Sequence, residues 1–172
     1  MKCKIWNYRG HQFKAFLEAD GLSADKISAS LDLDSNINKI FKAGTGSGKS
    51  GSFFFYSFDN KLIIKTVEEA EKSLLISMLD ELKGHVTVAT RNSSLLARIY
   101  GLFSIVTSQF SKVSFILMQN TIQLQDPNSH RVTFDLKGSQ INRYVQLKEH
   151  RHFWRRHFNC RQVLKDLNFQ EI

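Results

Sequence analysis

The sequence predicts an α+β fold in which helices pack on an antiparallel sheet. Aromatic and β-branched residues dominate Phe53–Phe58 and Leu62–Lys65, a composition that is typical of strands. The dipeptide Asp59–Asn60 lies between these runs, and both residues tolerate the positive φ of a two-residue hairpin turn. After the hairpin, apolar residues at helical spacing predict a helix over Val67–Lys83 that ends at Gly84.

The other apolar stretches complete a single domain. A chain of 172 residues with 42% hydrophobic content can bury a sizeable core. We divide it into a helical lead-in at 1–35, a sheet lobe at 36–139, and a basic aromatic segment with the sequence L-K-D-x-N-F at 140–172. One antiparallel sheet is predicted to carry the glycine-rich segment, Lys65 and the strand of the D-L-K-G-S sequence at 135–139. Further strands are predicted at Asn36–Phe41, Leu95–Val106, Val113–Met118 and within Arg131–Ser139, where Lys137–Gly138 by composition alone is a charged turn.

A glycine-rich segment, Gly44–Ser52, precedes the first strand of the hairpin. Successive glycines let backbone N–H groups approach an anion closely, because no Cβ blocks the approach. The hairpin brings Lys65 back beside this segment, where its ammonium group can pair with phosphates. The pattern predicts a nucleotide-phosphate site at this glycine-rich segment.

Two other interpretations of the glycine-rich segment stay open. Gly48-Lys49-Ser50 matches the end of a Walker A pattern, but Ala43 stands where its first glycine should be. A strand also follows the segment, whereas Walker A needs a helix whose N-terminus holds the phosphate. An ordinary glycine-rich turn would need no ligand. The order of strand, glycine loop, strand, turn and lysine-bearing strand favours a kinase-like lobe.

Glu71 is the candidate partner of Lys65. It lies four residues before Leu75, at the start of the predicted inward face of the helix. A carboxylate at this point can hold the Lys65 ammonium toward the phosphates. Most helical glutamates are only solvated, and that is the expectation for Glu68 and Glu69. The apolar residues of the inward face are Leu75, Met78 and Leu82.

The net charge of +8 favours an anionic partner. Lys148–Arg161 concentrates this charge and interleaves it with aromatic residues. Each basic residue contributes about 1 kcal/mol near an anionic leaflet, and tryptophan prefers the membrane interface. The alternative to a membrane contact is a solvated segment with a few aromatic side chains in the core. A basic aromatic segment can also stack on RNA or single-stranded DNA, but no nucleic-acid-binding motif accompanies it here, so no nucleic-acid partner is expected. The expected peripheral contact with the cytosolic face of a membrane uses Lys148, Arg151, Trp154, Arg155 and Arg156.

Several other classes of protein do not fit the composition. No apolar run reaches the roughly 18 residues that span a bilayer, and the N-terminus lacks the apolar core of a secretory signal. Two distant cysteines, Cys3 and Cys160, predict free thiols in a reducing compartment such as the cytoplasm. His150, His152 and His157 cluster beside basic residues rather than carboxylates, so no metal site is expected there.

Four short motifs occur in order along the chain. They are Gly48–Phe54 (GKSGSFF), Ile63–Thr66 (IIKT), Asp135–Ser139 (DLKGS, with Arg143 four residues beyond) and Leu164–Phe169 (LKDLNF). These resemble the G-K-S-G-S-F-F loop, the I-I-K-T strand, the D-L-K-G-S-x-x-x-R signature and the L-K-D-x-D-F segment of the phosphatidylinositol phosphate kinases. Phe13–Leu31 also looks like the lead-in of that domain. Four matches in order are highly specific and cover nearly the whole chain.

The resemblance implies the N-terminal lobe of a protein-kinase-like fold that phosphorylates membrane phosphoinositides with ATP. By this resemblance Lys65 and Lys137 would contact the phosphates, and Met118 and Asn120 would lie in the hinge beside the adenine. The loop residues that would cover the phosphates are Gly46, Ser47, Gly48, Lys49, Ser50 and Gly51. The ATP-binding residues outside the glycine loop are then Lys65, Glu71, Met118, Asn120, Asp135 and Lys137. The resemblance further implies a phosphatidylinositol 4-phosphate 5-kinase type, and it suggests a homodimer, since family members often dimerise through this lobe.

The chain departs from the family pattern in its last third. The 172 residues contain neither the family's M-D-Y-S-L-L segment, its I-I-D segment nor its headgroup-selecting loop. We therefore expect no catalytic residue in this chain, Mg²⁺ ligands outside it, and little phosphoryl transfer by the chain alone. The alternative function is a catalytically inactive module that binds nucleotide, anionic lipid or a protein partner. Two smaller departures are Gln140, where threonine is common, and Asn168, where the family usually has aspartate.

Overall fold

The computed structural model describes residues 3–40, 44–45, 52–88, 94, 96–109, 111–121, 132–146 and 163–171. The chain forms two compact units, Met1–Gln123 and Leu124–Ile172. The described residues of the first unit form a six-stranded antiparallel sheet with four helices. Those of the second unit form a two-stranded parallel sheet with one short helix. The α+β class with an antiparallel sheet and packed helices is therefore confirmed.

The sheet of the first unit has the order β1-β5-β6-β4-β3-β2, and each neighbouring pair is antiparallel. Two long strands, β5 and β6, lie near its centre. Its elements are β1 (Cys3–Asn7), α1 (Gly10–Ala19), α2 (Ala24–Ser30), α3 (Leu33–Ile40), β2 (Gly44–Thr45), β3 (Phe53–Tyr56), β4 (Leu62–Val67), α4 (Glu69–Val88), β5 (Ile99–Thr107) and β6 (Val113–Gln119).

The core of the first unit lies where α1 and α4 meet the sheet. Leu79 of α4 is 1% exposed, and it belongs to one buried cluster with side chains of α1 and of the three central strands. Burial of each such side chain contributes roughly 1.5–3 kcal/mol. The sheet and α4 are therefore held together by apolar contact. The cluster contains Phe13, Phe16, Leu62, Leu79, Val86, Tyr100, Leu102, Ile116 and Leu117.

The predicted strand Asn36–Phe41 is wrong, because the chain forms α3 over Leu33–Ile40. Asp32 begins this helix: its Oδ2 accepts the Ser35 N–H at 2.9 Å, and its carbonyl accepts the Asn36 N–H. An aspartate at the N-cap satisfies a donor that the helix itself leaves open. Hydrogen bonds from Ser35 lower the pKa of Asp32, which is consistent with that role.

The predicted end of α4 at Gly84 is also wrong, because the helix continues to Val88. Val86 is 4% exposed and lies in the core, so apolar contact continues beyond the glycine. A glycine inside a helix costs only about 1 kcal/mol relative to alanine, which burial outweighs. The predicted inward face needs one further correction. Leu79 is its centre, whereas Met78 is 45% exposed.

The hairpin between β3 and β4 has a wider turn than the two residues predicted. Ser57 N–H still donates to the Leu62 carbonyl at 3.0 Å, so Phe58–Lys61 form the turn, with Asn60 at φ 56°. Asp59 organises this turn. Burial opposes its charge, but hydrogen bonds from Ser57, Ser30 and Lys61 lower the pKa of Asp59 to about 2.

The N-terminal segment holds an element that the sequence analysis does not predict. Cys3–Asn7 form β1, which pairs with β5 from Thr107 back to Phe103. All five residues of β1 are exposed, and Cys3 is a free thiol. Because β1 lies at the end of the strand order, its pattern lacks the buried face that marks an inner strand.

The second unit contains the D-L-K-G-S segment. Thr133–Asp135 form β7, which pairs in parallel with β8 (Val163–Lys165), and α5 (Asp166–Gln170) follows directly. The prediction that one antiparallel sheet carries both Lys65 and the D-L-K-G-S strand is therefore wrong. Leu164 is fully buried, and the rings of Phe134 and Phe169 pack edge to face with 5.3 Å between their centroids.

No helix among the residues described is both long enough and apolar enough to cross a bilayer.

Candidate functional site

A short hairpin flanks the glycine-rich segment. Gly44 and Thr45 of β2 pair with Phe54 and Phe53 of β3. The Phe53 N–H also donates to Thr66 Oγ1 at 2.9 Å, which joins the strand after the glycines to β4. The predicted loop residues Gly46, Ser47, Gly48, Lys49, Ser50 and Gly51 lie outside the described residues, so their contact with phosphate stays a prediction.

Lys65 and Glu71 form the ion pair that the sequence predicts. Lys65 lies on β4, opposite Phe54 of β3 and Ile116 of β6. Its Nζ is 2.9 Å from Glu71 Oε1, in the first turn of α4. An ion pair with side chains 22% and 45% exposed contributes at most about 1 kcal/mol to folding. The main effect of the pair is therefore to orient the ammonium group, whose three donors can bind a carboxylate and a phosphate together.

Glu71 has a second contact that fixes its position on the helix. Its Oε2 accepts the Glu68 N–H at 2.9 Å, and Glu68 immediately precedes α4. A glutamate at the third helical position that bonds back to the N-cap N–H is half of a capping box. The pKa of Glu71 is lowered mainly by the hydrogen bond from the Lys65 ammonium group and further by the one from the Glu68 N–H. One carboxylate therefore begins the helix and holds the lysine.

Met118 and Asn120 lie at the end of β6. Met118 pairs with Ile63 of β4 and with Ile99 of β5, so it lies inside the sheet. Asn120 is buried; its N–H donates to the Lys61 carbonyl at 2.9 Å and its Nδ2 donates to the Asn60 carbonyl at 2.7 Å. Asn120 thus anchors the β3–β4 turn. Its predicted place beside an adenine stays a prediction, and its own N–H and amide donors already have protein partners.

Asp166 is the centre of the second unit. Its Oδ1 accepts the N–H groups of Lys137 and Gly138 at 2.9 and 2.8 Å, and its Oδ2 accepts from Arg143 Nε at 2.7 Å. Gly138 has a φ of 67°, which glycine adopts without strain and which lets consecutive N–H groups converge on one oxygen. The pKa of Asp166 is held well below its usual range, mainly by the hydrogen bond from Arg143 and further by these two N–H groups, although burial opposes the charge.

The D-L-K-G-S side chains form a small charged cluster around Asp135. Lys137 Nζ lies 3.2 Å from both carboxylate oxygens of Asp135, and Arg143 Nη2 lies 3.3 Å from Oδ2. Arg143 also donates to the Asp135 carbonyl. The pKa of Asp135 is lowered mainly by the hydrogen bond from Lys137 and further by the one from Arg143. The Lys137 side chain is 62% exposed, so its ammonium group is accessible to an anion.

Asn168 explains how the second unit accommodates an amide where the family usually has a carboxylate. Its Oδ1 accepts the Val145 N–H at 2.9 Å and its Nδ2 donates to the Val145 carbonyl at 3.0 Å. Oδ1 also accepts the Lys165 N–H at 3.2 Å. Asn168 is 2% exposed, so a carboxylate here would leave the Val145 carbonyl without this donor in a buried site.

Other candidate residues lie where the structure describes nothing. The predicted membrane segment, with Lys148, Arg151, Trp154, Arg155 and Arg156, is outside the described residues, as are the clustered histidines. Within the described ranges, no three side chains of His, Cys, Asp or Glu come together as a group that could hold a metal ion. The expectation that the Mg²⁺ ligands lie outside this chain stays a prediction.

Sequence reasoning missed two charged residues that the structure places centrally. The sequence marks Asp166 only as part of a motif, whereas in the structure it contacts Lys137 and Gly138, which lie 29 and 28 residues before it. Lys72 follows Glu71 directly and is 5% exposed, although lysine is rarely buried unless it is paired. The partners of Asp166 lie 23–29 residues away, and Tyr8, which lies under the Lys72 ammonium group, is distant in sequence as well, so no local pattern marks these contacts.

The fold and the Lys65–Glu71 pair define an α+β domain in which the lysine-bearing strand β4 pairs with β3, the strand that directly follows the glycine-rich segment in sequence. Comparison with known families gives a specific result. The model of the family described as phosphatidylinositol-4-phosphate 5-kinase matches residues 35–172. This match covers most of the chain, and the chain belongs to that family.

Individual relatives agree with this assignment. Phosphatidylinositol 4-phosphate 5-kinase 9 of Arabidopsis thaliana is 37% identical over 106 residues, which are 62% of this chain and 12% of the relative. Phosphatidylinositol 4-phosphate 5-kinase 4 of the same plant is 33% identical over 137 residues, 78% of this chain and 16% of the relative. Phosphatidylinositol 4-phosphate 5-kinase its3 of Schizosaccharomyces pombe is 36% identical over 96 residues, 56% of this chain and 12% of the relative. The matched regions thus span 12–16% of the length of these relatives.

Proposed function

We propose that this chain supplies the nucleotide-binding lobe of a phosphatidylinositol phosphate kinase of the 4-phosphate 5-kinase type. The observation that carries the proposal is the Lys65–Glu71 pair, with 2.9 Å between Nζ and Oε1. It lies on the strand next to β3, which directly follows the glycine-rich segment. Membership of the family and the names of the relatives support the choice of ATP and of a phosphatidylinositol monophosphate as substrates.

In this proposal the chain's own residues bind and orient the triphosphate. Lys65 pairs with phosphate oxygens while Glu71 keeps the ammonium group in place, and the glycine-rich segment offers N–H groups. Lys137 is the second proposed cation. The proposal assigns no metal ligand and no catalytic base to the described residues. When bound, Mg²⁺ neutralises phosphate charge, and any protein ligands for it are proposed to lie outside these residues.

The pair is tested by Glu71→Gln. The glutamine can still accept the Glu68 N–H and so keep the helix start, but it cannot neutralise Lys65. We expect ATP·Mg²⁺ affinity, measured by calorimetry on the 172-residue chain, to fall about tenfold while the melting temperature hardly changes. Glu81→Gln is the matched control, since Glu81 is an exposed carboxylate further along the same helix. An unchanged affinity in Glu71→Gln would show that the pair has no role in nucleotide binding.

Peripheral membrane association on the cytosolic side is the second part of the proposal. It rests on the basic aromatic segment, which contains Trp154, Arg155 and Arg156. We expect the double variant Arg155→Glu, Arg156→Glu to lose at least about tenfold in affinity for vesicles that contain anionic lipid, because four units of charge change. Vesicles of neutral lipid are the control. Equal binding of both proteins to anionic vesicles would remove this segment from the proposal.

A further inference from the structure

Lys72 occupies an unusual position for a lysine. Its side chain is only 6% exposed, and its Nζ lies 2.6 Å from Glu69 Oε1 and 4.9 Å from the centre of the Tyr8 ring. The Glu69 side chain is largely exposed, whereas the Tyr8 ring is partly buried, so the ring is the more enclosed partner of this cation. The ammonium group thus fastens the first turn of α4 to the residue that follows β1.

This arrangement opposes the ordinary electrostatics of a helix. The N-terminus of a helix carries a partial positive charge, which favours carboxylates in the first turn and disfavours ammonium groups. A buried cation at this point persists only where its partners compensate both the dipole and the lost hydration. The hydrogen bond to Glu69 is the main cause that raises the pKa of Lys72, and burial acts in the opposite direction. The raised pKa is consistent with such compensation.

Tyr8 is itself fixed to the sheet. Its N–H donates to the Leu102 carbonyl at 3.0 Å, and its hydroxyl accepts from Ser104 Oγ at 3.1 Å. Ser104 is fully buried and lies 2.7 Å from Ser114 Oγ on the neighbouring strand. The ring that receives Lys72 is therefore held by β5 and, through Ser114, by β6.

The first turn of α4 thus has two attachments on consecutive residues. Glu71 joins it to Lys65 on β4, and Lys72 joins it to Tyr8. Consecutive helical residues point about 100° apart, so the two contacts restrain rotation of the turn about the helix axis. We propose that Lys72 and Tyr8 are positioning residues that set the Glu71 carboxylate against Lys65. The effect of this contact on nucleotide binding rests on the function proposed above, whereas its effect on Glu71 does not.

The first experiment needs no nucleotide. The Lys65 ammonium lowers the pKa of Glu71, so a displaced carboxylate titrates nearer its ordinary value of 4.5. Carbon NMR of the Glu71 carboxyl group is recorded against pH in the 172-residue chain. We expect Lys72→Met to raise the pKa of Glu71 and Lys72→Arg, which keeps the cation over the ring, to leave it low. Tyr8→Leu should raise it and Tyr8→Phe should raise it less, and these variants decide the question where Lys72→Met does not fold.

The control disturbs a separate contact of α4, away from its first turn. Asp80 accepts from Gln12 of α1 in the middle of the helix. Asp80→Ala should loosen that contact and leave the pKa of Glu71 unchanged. The proposal is overturned if folded Lys72→Met or Tyr8→Leu leaves the titration of Glu71 as in the wild type, or if Asp80→Ala shifts it as much as they do.

A second experiment tests the link to the nucleotide. ATP·Mg²⁺ affinity should fall about tenfold in Lys72→Met, and less than about twofold in Lys72→Arg and Asp80→Ala. A shift in the pKa of Glu71 without a loss of affinity would keep the positioning role and contradict its link to nucleotide binding. A wild-type chain that does not bind ATP·Mg²⁺ would contradict the proposed function, while the titration of Glu71 would still decide the positioning role.

Discussion

We expect the double variant Lys65→Ala, Lys137→Ala to lose all measurable ATP·Mg²⁺ binding. A triphosphate presents several negative charges, and the two lysines are the cations that we assign to it. Truncation of one partner of a desolvated charge pair costs about 2–5 kcal/mol, which lowers affinity about 30-fold or more. Losses at independent contacts add in free energy. A loss of this size at Lys65 and a smaller one at the more exposed Lys137 would together weaken a ligand of micromolar affinity beyond the range that calorimetry detects.

Two other lysines provide matched controls. Lys61 lies in the turn before β4, and its exposed ammonium group pairs with Asp59 at 3.2 Å. Lys165 belongs to the second unit and donates to the Asn142 carbonyl at 3.2 Å. Lys61→Ala and Lys165→Ala each remove one positive charge from the same units. We expect each to lower affinity less than about twofold, because neither ammonium group is assigned to the nucleotide and salt screens charges that lie in solvent.

The single variants then separate the two assignments. Lys65→Ala should have the larger effect, since the Lys65 side chain is 22% exposed and Glu71 orients it. Lys137 is 62% exposed, and hydration weakens an exposed cation's attraction for phosphate. A wild-type chain that binds ATP·Mg²⁺, with a double variant that binds it equally well, would refute the phosphate assignment of both lysines.

The first unit shows what local sequence can predict. The hairpin of β3 and β4 follows from aromatic and β-branched residues on either side of a turn, and its pairing of Phe54 with Lys65 needs no distant partner. The Lys65–Glu71 pair spans only six residues, across one strand-to-helix connection. Short-range geometry of this kind is encoded by residue types that are near each other in the chain.

The wrong strand at Asn36–Phe41 shows how a cap overrides an apolar pattern. Ile37, Ile40 and Phe41 are β-formers, but Asp32 begins a helix four residues before Asn36. The amide group of Asn36 then bonds to the Ser30 and Asp32 carbonyls at 2.9 and 2.7 Å, which secures the start of α3. An N-cap acts through hydrogen bonds that hydrophobic periodicity does not record.

The partner of the D-L-K-G-S strand could not be predicted, because it depends on long-range contacts. β7 pairs in parallel with β8, whose residues lie about 30 positions further along the chain. Parallel pairing requires a long crossover connection, and nothing in the local composition selects one strand among several. Asp166, which directly follows β8, bonds to the N–H groups of Lys137 and Gly138, which come shortly after the end of β7, and so joins the ends of the two strands.

Replacement of Asp166 should therefore loosen the second unit more than any other single change to a described side chain in it. Asp166→Asn keeps an oxygen for the N–H groups of Lys137 and Gly138 but loses the charge that faces Arg143. Asp166→Ala loses both interactions. We expect protection of the Lys137 and Gly138 amides against hydrogen exchange to fall about tenfold in Asp166→Asn and further in Asp166→Ala.

The pH dependence of the same protection follows from the pKa of Asp166, which lies below its ordinary value of 3.8. A carboxyl group with a lowered pKa stabilises the folded state above the ordinary value, because there it is charged in both states and paired only in the folded one. This stabilisation is lost progressively as the pH falls below about 3.8. After correction for the intrinsic exchange rate, the protection of the Lys137 and Gly138 amides against hydrogen exchange should decline in the wild type as the pH falls below about 3.8. In Asp166→Asn this decline should be far smaller.

Asp135→Asn separates the role of Asp166 from a general effect of charge. Asp135 also contacts Arg143, but its side chain is 44% exposed and it receives no N–H from the loop. Water can replace much of what an exposed carboxylate loses, so this variant should change the protection of Lys137 and Gly138 less than about threefold. Equal losses in Asp135→Asn and Asp166→Asn would mean that the net charge around Arg143, and not the convergence of two N–H groups on Asp166, holds the D-L-K-G-S backbone in place.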